Sequence, residues 1–381
     1  MSGGALDGLP EVARLTARLC EIPSPSREEA AVAEVVRAEL RALGAEITED
    51  EAGRQIPAGC GNIVARFAPT APGGVPIMLG AHLDTVPPQG PIEVEVSDGF
   101  LTNRHPTILG ADDKAAVATM LTALRRIVRE GRPHAGIELL LTPCEEIGLQ
   151  GASRFDPSRL RARLGFVYDH TGAIGGIVRS APSLRRIEAT FVGRPAHAGL
   201  EPERGRSAIT AAARAIARLP LGRIDADTTA NVGTVTGGTA TNVVAERCTL
   251  TAEARSRSER ALAAQVTAMI DALTWAATEC EVDLETHVRT EFTGYRLSDA
   301  DPQVDLALRA LRACGHEPHF VDTGGGSDVN ALIVNGFPAV NLCNGMVDVH
   351  TDHERIAVAD LEQMVEVTLA LVAAARDGAA G

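Results

Sequence analysis

Residues able to bind metal ions or transfer protons cluster in five short segments of this 381-residue chain. The segments are 82–84, 112–114, 144–146, 169–170 and 350–354. Each contains histidine, aspartate or glutamate, and imidazole nitrogens with carboxylate oxygens suit Zn²⁺, Mn²⁺ or Co²⁺. Each segment alone is a weak signal, but together they favour metal-ion chemistry.

The first segment, Gly80-Ala-His82-Leu-Asp84, directly follows a predicted strand. In extended backbone, His82 and Asp84 project to the same face. His82 could bind a metal ion while Asp84 accepts a hydrogen bond from its other ring nitrogen. A structural His–Asp pair explains the same spacing equally well.

The second segment, Asp112-Asp113-Lys114, opens a long predicted helix. An aspartate pair at a helix start is often only a cap for free backbone N–H groups. Lys114 argues for more, because it is the single lysine among 36 basic residues, the other 35 being arginine. An ammonium and a guanidinium are not interchangeable at a tight site, so Lys114 is interpreted as constrained by its surroundings.

The third segment, Cys144-Glu145-Glu146, follows the apolar run 137–142, which is typical of a strand buried on both faces. Two carboxylates beside such a strand are costly without compensation, which favours a site over a solvated loop. One glutamate could bind metal while the other faces a water molecule. Cys144 is interpreted as a small filler, because no base for a nucleophilic thiol is evident.

The last two segments leave alternatives open. Asp169 and His170 compete as ligands at another strand end, and either His350 or His353 could be a ligand near the C-terminus. The carboxyl ends of strands in open α/β sheets are where such folds build their sites.

The predicted elements that position these residues alternate between strands and helices in the N-terminal third, which indicates a mostly parallel sheet. Ser26 and Glu29 have the capping-box spacing before a helix that runs to Gly44. From Pro182 the predicted order becomes β-α-β-β-α-β, the ferredoxin-like pattern. We expect an α/β catalytic domain over 1–181 and 296–381, interrupted by a lid and dimerisation domain over 182–295.

Composition excludes several classes of function. The chain has 36 basic and 50 acidic residues, a net charge of −14, and 3% aromatic residues, so neither a nucleic-acid nor a membrane partner is expected. No apolar run is long enough to span a bilayer, and no signal peptide is visible at the N-terminus. The seven cysteines are widely spaced without a Cys-x-x-Cys motif, which favours a reducing, cytoplasmic location.

The combination of His-x-Asp, Asp-x-Lys and Glu-Glu in this order resembles the dinuclear zinc exopeptidases and amidohydrolases. This family includes peptidase T, carboxypeptidase G, succinyl-diaminopimelate desuccinylase and aminoacylase. The resemblance extends over essentially the whole chain, from the Ile-Pro-Ser-Pro-Ser segment at 22–26 to His350. It implies a zinc exopeptidase-like α/β fold with an inserted lid and two Zn²⁺ per chain, for which Co²⁺ or Mn²⁺ can substitute.

Carried over by position, the resemblance assigns the candidate site. The implied ligands are His82, Asp112 as the bridge, Glu146, Asp169 and His350. Asp112 is chosen over Asp113 because the family's bridging aspartate precedes the lysine by two, and a cis peptide often follows it. Glu145 would be the general base and Asp84 would orient His82.

The resemblance also implies substrate-binding residues. His197 in Gly-Arg-Pro-Ala-His-Ala-Gly matches a lid histidine that reaches the partner's active site in a homodimer, although a solvated loop histidine is the local alternative. Asn242 and Arg255 match residues that hold a substrate carboxylate, with a surface salt bridge as the alternative for Arg255. Gly325 and Ser327 lie in a segment similar to the family's glycine loop, which also fits a turn followed by a helix cap.

Aspartate as the fourth ligand favours a peptidase T-like aminopeptidase that cleaves short peptides. His170-Thr171 after that aspartate and Cys144 before the glutamate pair depart from the peptidase T pattern. A hydrolase of N-acyl amino acids or other small amides is therefore the alternative. A non-catalytic peptide-binding protein is a remote third possibility, because every expected position is filled.

Overall fold

The computed structural model describes Leu6 and residues 8–378. Within these residues the α-helices are α1 (Glu11–Cys20), α2 (Ala30–Ala42), α3 (Ala52–Gln55), α4 (Ala111–Glu130), α5 (Gln150–Arg154), α6 (Ala208–Arg218), α7 (Glu259–Glu279), α8 (Pro302–Ala313), α9 (Asp328–Val334) and α10 (Val358–Asp377). Among the helices of this described part, none is both long enough and apolar enough to cross a membrane.

The strands are β1 (Glu46–Glu49), β2 (Ile63–Phe67), β3 (Ile77–His82), β4 (Val94–Ser97), β5 (Phe100–Asn103), β6 (Ile137–Thr142), β7 (Leu164–Val167), β8 (Gly176–Ala181), β9 (Ser183–Val192), β10 (Gly222–Arg223), β11 (Thr228–Gly237), β12 (Arg247–Ser256), β13 (Asp283–Phe292), β14 (Tyr295–Arg296), β15 (His319–Asp322), β16 (Ala339–Leu342), β17 (Met346–Val347) and β18 (Arg355–Ala357).

The chain divides into two compact units. The first unit comprises the described residues of Met1–Arg179, Arg296–Asp322 and the described residues of Ser327–Gly381. The second unit comprises Ser180–Tyr295 and the short segment Thr323–Gly326.

The large sheet has the order β1-β2-β6-β3-β7-β16-β8-β14, and β15 pairs with β8. Its four central strands, β6, β3, β7 and β16, are parallel to one another. Strands β1, β2 and β8 pair antiparallel at the margins. The predicted α/β class with a mostly parallel sheet is confirmed.

Burial of the central strands explains their apolar sequences. Every residue of β3 and β6 is buried, as expected for parallel strands covered on both faces. Helix α4 packs against α1, α10 and β3, and its residues from Ala115 to Leu124 are buried. It ends at Gly131, whose φ of 62° is the left-handed conformation that glycine adopts at a helix C-terminus.

The second unit contains the predicted β-α-β-β-α-β order, made of β9, α6, β11, β12, α7 and β13. Its antiparallel sheet has the order β10-β11-β12-β9-β13, and the ferredoxin-like expectation is confirmed. Apolar residues of α6 and α7 form its core together with alternate residues of β9 and β12.

Two features differ from the sequence-based expectations. A third sheet, β17-β18-β5-β4, joins short strands from distant parts of the chain. The Ser26–Glu29 capping box is wrong, because α2 begins at Ala30 and Glu29 makes no side-chain cap bond there. The Ser26 hydroxyl instead donates to Asp84 Oδ2 at 2.6 Å, so long-range contacts take both polar side chains.

Candidate active site

The parallel strands bring three of the five segments to one edge of the large sheet. β3 ends at His82, β6 ends two residues before Cys144, and β7 ends two residues before Asp169. Their registers place these carboxyl ends side by side. Asp112 joins them from the first turn of α4, and His350 from the loop between β17 and β18.

Two clusters of three ligand atoms share Asp112. The first contains His82, Asp112 and Asp169, and the second contains Asp112, Glu146 and His350. His82 Nε2 lies 3.2 Å from Asp112 Oδ1 and 3.9 Å from Asp169 Oδ1. His350 Nε2 lies 3.4 Å from Asp112 Oδ2 and 3.0 Å from Glu146 Oε1. One oxygen of Asp112 therefore faces each cluster, which is the geometry of a bridging carboxylate.

The competing candidates point elsewhere. His353 is 79% exposed and lies 3.8 Å from Asp352, outside both clusters. His170 Nδ1 contacts the Thr171 carbonyl oxygen at 2.6 Å and Cys343 Sγ at 3.4 Å. Asp113 is fully buried and belongs to neither cluster, and the Asp112–Asp113 peptide bond is cis.

Buried carboxyl groups lie in and beside these clusters. Burial raises the pKa of the Glu145 carboxyl well above its ordinary value, the charge on Asp169 raises it further, and His82 partly offsets both. Burial likewise raises the pKa of Asp169, with the charge on Asp112 adding to the effect. A carboxyl with a raised pKa can hold and release a proton near neutral pH.

The shared carboxylate and its two histidines form ion pairs. Burial would raise the pKa of Asp112, but hydrogen bonds with His350 and His82 hold it below its usual range. The pKa of His350 is raised to about 10, mainly by its hydrogen bonds to Asp112 and Glu146. Burial would lower the pKa of His82, and its hydrogen bonds to Asp112 and Asp84 reverse that direction.

These five residues fit a pair of divalent ions. In each cluster the ligand atoms lie within 4.8 Å of one another. Asp112, Glu145 and Asp169 crowd negative charge into a buried space, which is costly unless cations compensate it. A set of imidazoles and carboxylates without thiolates suits Zn²⁺, Mn²⁺ or Co²⁺.

Asp84 holds the loop that carries the glutamate pair. Its Oδ1 accepts the Glu145 backbone N–H at 2.9 Å, and its Oδ2 accepts the Glu146 N–H at 3.2 Å. His82 Nδ1 lies 2.9 Å from the Asp84 carbonyl oxygen and 3.6 Å from the carboxylate. The nearer partner of the ring is thus the backbone of Asp84, and the carboxylate mainly fixes the loop.

Sequence reasoning assigned no site role to four buried or half-buried polar residues that support these elements. They are Ser26, Glu29, Asp328 and Glu354. Glu354 accepts the N–H groups of Gly110 at 2.8 Å and Asp112 at 3.1 Å, which stabilises the start of α4. Asp328 accepts a hydrogen bond from the Thr142 hydroxyl, and burial raises its pKa to about 6. Their polar side chains are visible in the sequence, but only the fold shows what they contact.

In the second unit, Arg255 lies beside the three consecutive glycines at 324–326. Its guanidinium donates to both carboxylate oxygens of Glu253, at 2.8 and 3.2 Å, and contacts the Gly324 carbonyl oxygen at 3.4 Å. Gly325 is the next residue of this segment. Ser327 belongs to the first unit and forms a capping box with Asn330 at the start of α9.

His197 and Asn242 lie together at the opposite end of the second unit's sheet. The Asn242 carbonyl oxygen accepts the Ala198 N–H at 3.0 Å. His197 Nδ1 accepts the N–H groups of Gly199 at 3.1 Å and Leu200 at 3.2 Å. Because Nδ1 is an acceptor, the neutral imidazole carries its proton on Nε2 and presents a donor to its exposed side.

The sequence of this chain is similar to a known peptidase family and to individual proteins. The family model described as Peptidase family M20/M25/M40 matches residues 78–374. The chain is 36% identical to the uncharacterized protein YqjE of Bacillus subtilis, over 93% of this chain and 95% of that protein. It is 26% identical to peptidase T of Escherichia fergusonii, over 81% of this chain and 84% of that protein.

Solved structures that resemble nearly the whole chain include an aminopeptidase and a tripeptidase. The aminopeptidase PepT from Bacillus cereus is 37% identical with a TM-score of 0.84, covering 96% of this chain and 98% of its own. A tripeptidase from Staphylococcus aureus is 34% identical with a TM-score of 0.89, with the same coverage.

Proposed function

Because the chain belongs to peptidase family M20/M25/M40 and is thus a metal-dependent peptidase, we propose that it is an aminopeptidase that cleaves short peptides, tripeptides above all. The observation that carries this proposal is the pair of ligand clusters that share Asp112, with the buried Glu145 beside them. The names of the similar aminopeptidase and tripeptidase support the choice of substrate.

We propose Zn²⁺ as the native metal, two per chain, with Co²⁺ or Mn²⁺ able to substitute. His82, Asp112 and Asp169 would hold one ion, and Asp112, Glu146 and His350 the other. When bound, such ions polarise the scissile carbonyl and lower the pKa of water toward about 7. A cytoplasmic location is part of the proposal, and the seven free cysteines support it.

Glu145 is the proposed general base. Its carboxyl removes a proton from the attacking water and later delivers that proton to the leaving amine. Burial and the neighbouring Asp169 charge raise its pKa, which suits both halves of this transfer. Asp84 fixes the Glu145 backbone, so the carboxylate keeps its position throughout the reaction.

The second unit supplies the proposed substrate contacts. Arg255 and Asn242 would hold the peptide's carboxylate, and Gly325 would lie beside the substrate. The Nε2–H of His197 would donate to the oxyanion that forms during attack; one such donor is typically worth about 3–4 kcal/mol. Ser327 caps α9 and directly follows the glycines at 324–326, so it would also lie beside the substrate.

The layout of the second unit supports a homodimer. β9 and β12 pair so that Val192 faces Arg247 at one end and Leu184 faces Arg255 at the other. From Arg247 to Arg255 the strand rises roughly 25 Å, whereas a tripeptide spans about 10 Å. One copy therefore cannot apply both ends of this sheet to one tripeptide. We propose that His197 and Asn242 come from the partner and Arg255 from the same chain.

Mixing two inactive variants tests this arrangement. His197→Ala and Glu145→Ala each inactivate every site of a homodimer. After dissociation and reassociation, half the dimers are mixed, and one of their two sites regains both residues. We expect about a quarter of wild-type activity to return. A mixture that stays as inactive as its components rules out the shared site.

The test of the chemistry is Glu145→Ala beside Glu28→Ala, an exposed control near the N-terminus. Glu145→Ala should keep both metal ions, as measured by mass spectrometry, and lose nearly all tripeptide hydrolysis. Glu28→Ala should match wild type. Substantial turnover by the ion-loaded Glu145→Ala enzyme overturns the assignment of the base.

A further inference from the structure

The glutamate loop comprises Cys144, Glu145 and Glu146, and its three consecutive backbone N–H groups donate to two carboxylates. Asp84 accepts those of Glu145 and Glu146, as described above. The N–H of Cys144, which precedes them, donates to Glu29 Oε1 at 3.2 Å. Glu29 lies 115 residues away in sequence and is fully buried.

Glu29 joins three separate segments. Its Oε1 also accepts the N–H of Arg27 at 2.8 Å and the Cys144 thiol at 3.3 Å. Its Oε2 accepts the N–H of Gly59 at 2.7 Å. A Cβ at Gly59 would lie 2.5 Å from the Glu29 backbone nitrogen, so glycine is needed there for the chain to approach this closely.

The loop also depends on Cys144 in its own backbone. Cys144 has a φ of 56°, the left-handed region that non-glycine residues seldom adopt. This conformation turns the chain between β6 and Glu145. A bond from Glu29 to each of the two donors of Cys144 fixes the turn from both its backbone and its side chain.

We propose that Glu29 is a positioning residue for hydrolysis, which orients Glu145 by anchoring Cys144. Glu29 acts through the loop, and Asp84 secures the two residues that follow. This inference rests on the proposed role of Glu145 as the base. Cys144 is thereby assigned as the attachment point of the loop rather than a small filler.

The expected effect is on kcat rather than on KM. Displacing a catalytic group by about 1 Å can lower the rate roughly 100-fold, whereas the proposed substrate contacts of the second unit involve other residues. In Glu29→Gln the amide offers only one acceptor oxygen. With its NH₂ group toward Cys144 the attachment of the loop is lost, and with its NH₂ group toward Gly59 the donors of Cys144 meet a neutral oxygen, whose hydrogen bonds are about half as strong as those of a carboxylate.

Glu138→Gln is the matched control. Glu138 is also buried and accepts one arginine bond, from Arg66 Nε at 2.6 Å, and the backbone N–H groups of Arg161 and Ala162. It lies near the start of β6, whereas the glutamate loop follows the end of that strand. Both variants lose a buried acceptor, but only Glu29→Gln disturbs the loop.

The experiment combines tripeptide kinetics at saturating Zn²⁺ with thiol labelling of the native enzyme, resolved by peptide mapping. Glu29→Gln should lower kcat by roughly ten- to a hundredfold with KM changed less than about threefold. It should also accelerate labelling of Cys144, which is fully buried in the wild type. Glu138→Gln should change neither quantity.

Unchanged kcat or unchanged Cys144 labelling in Glu29→Gln overturns the proposal. If that variant does not fold, Glu29→Asp replaces it, because a side chain about 1.5 Å shorter cannot reach both Cys144 and Gly59. If the wild-type enzyme cleaves no peptide, the proposed function fails, and the labelling comparison still decides whether Glu29 holds the loop.

Discussion

Replacing the chain's only lysine by arginine should destabilise the first unit. Lys114 is fully buried in α4, and its Nζ donates to the Ile22 carbonyl oxygen at 2.6 Å. A Cβ placed on Gly110 would lie 3.9 Å from that nitrogen, so the ammonium occupies a closed space. Burial lowers the pKa of Lys114 to about 8.

The magnitude follows from the difference in size between the two side chains. Arginine adds about two heavy atoms and a rigid plane where one nitrogen fits. Overpacking of this kind costs about 1–3 kcal/mol in a well-packed interior. For a unit of this length, each kcal/mol lowers the melting temperature by about 2–4 °C, so Lys114→Arg should melt about 2–12 °C below wild type.

Thermal unfolding followed by fluorescence is the assay, with Arg41→Lys as the control for exchange on the surface. The Arg41 side chain is 58% exposed, and that variant should melt with the wild type. Amine labelling of the wild type adds a second readout, because Lys114 is the single lysine of the chain and should react only when α4 opens. A Lys114→Arg protein that melts within about 1 °C of wild type refutes the packing argument.

Other predictions concern the metal ions, acid stability and loop support. Asp112→Ala should bind neither ion tightly and His350→Ala should retain one, as counted by metal mass spectrometry; equal counts contradict the shared ligand. Burial lowers the pKa of His134, so the unfolded state takes up a proton more readily below pH 6.5 and the free energy of unfolding decreases as the pH is lowered. His134→Gln should flatten this dependence in urea titrations at pH 5–7. Ser26→Ala removes the 2.6 Å bond to Asp84 and should lower the free energy of unfolding by about 1.5–3 kcal/mol, whereas Ser26→Thr should lower it less; equal urea midpoints for the alanine variant and wild type contradict this.

Sequence periodicity was sufficient for the elements that have large apolar faces. The run 137–142 is the strand β6 without any shift of boundary, and the long helix predicted to open with Asp112-Asp113-Lys114 is α4, which begins at Ala111. The third sheet escaped prediction because its strands have two to four residues and because the pairing of β18 with β5, which completes it, joins residues more than 250 positions apart. Such short strands carry no periodic signal, and only tertiary pairing defines them.

The histidine and carboxylate segments suggested the metal clusters because the ligands follow strand ends. The residues that support the metal clusters through hydrogen bonds could not be identified from the sequence. Ser26 and Glu29 have the spacing of a capping box, a local rule, but their hydrogen bonds go to Asp84 and Cys144, far away in sequence. A buried carboxylate that accepts backbone N–H groups leaves no characteristic spacing, so its partners emerge only from the fold.

The most direct test of the proposed aminopeptidase is hydrolysis of one tripeptide and its N-acetylated form by protein of measured metal content. The account predicts two divalent ions per chain, cleavage of the free-amine peptide alone, and loss of that cleavage after chelation with recovery on adding Zn²⁺. Preference for the acetylated peptide would assign an amidohydrolase instead, and full activity without divalent ions would contradict the metal centre itself.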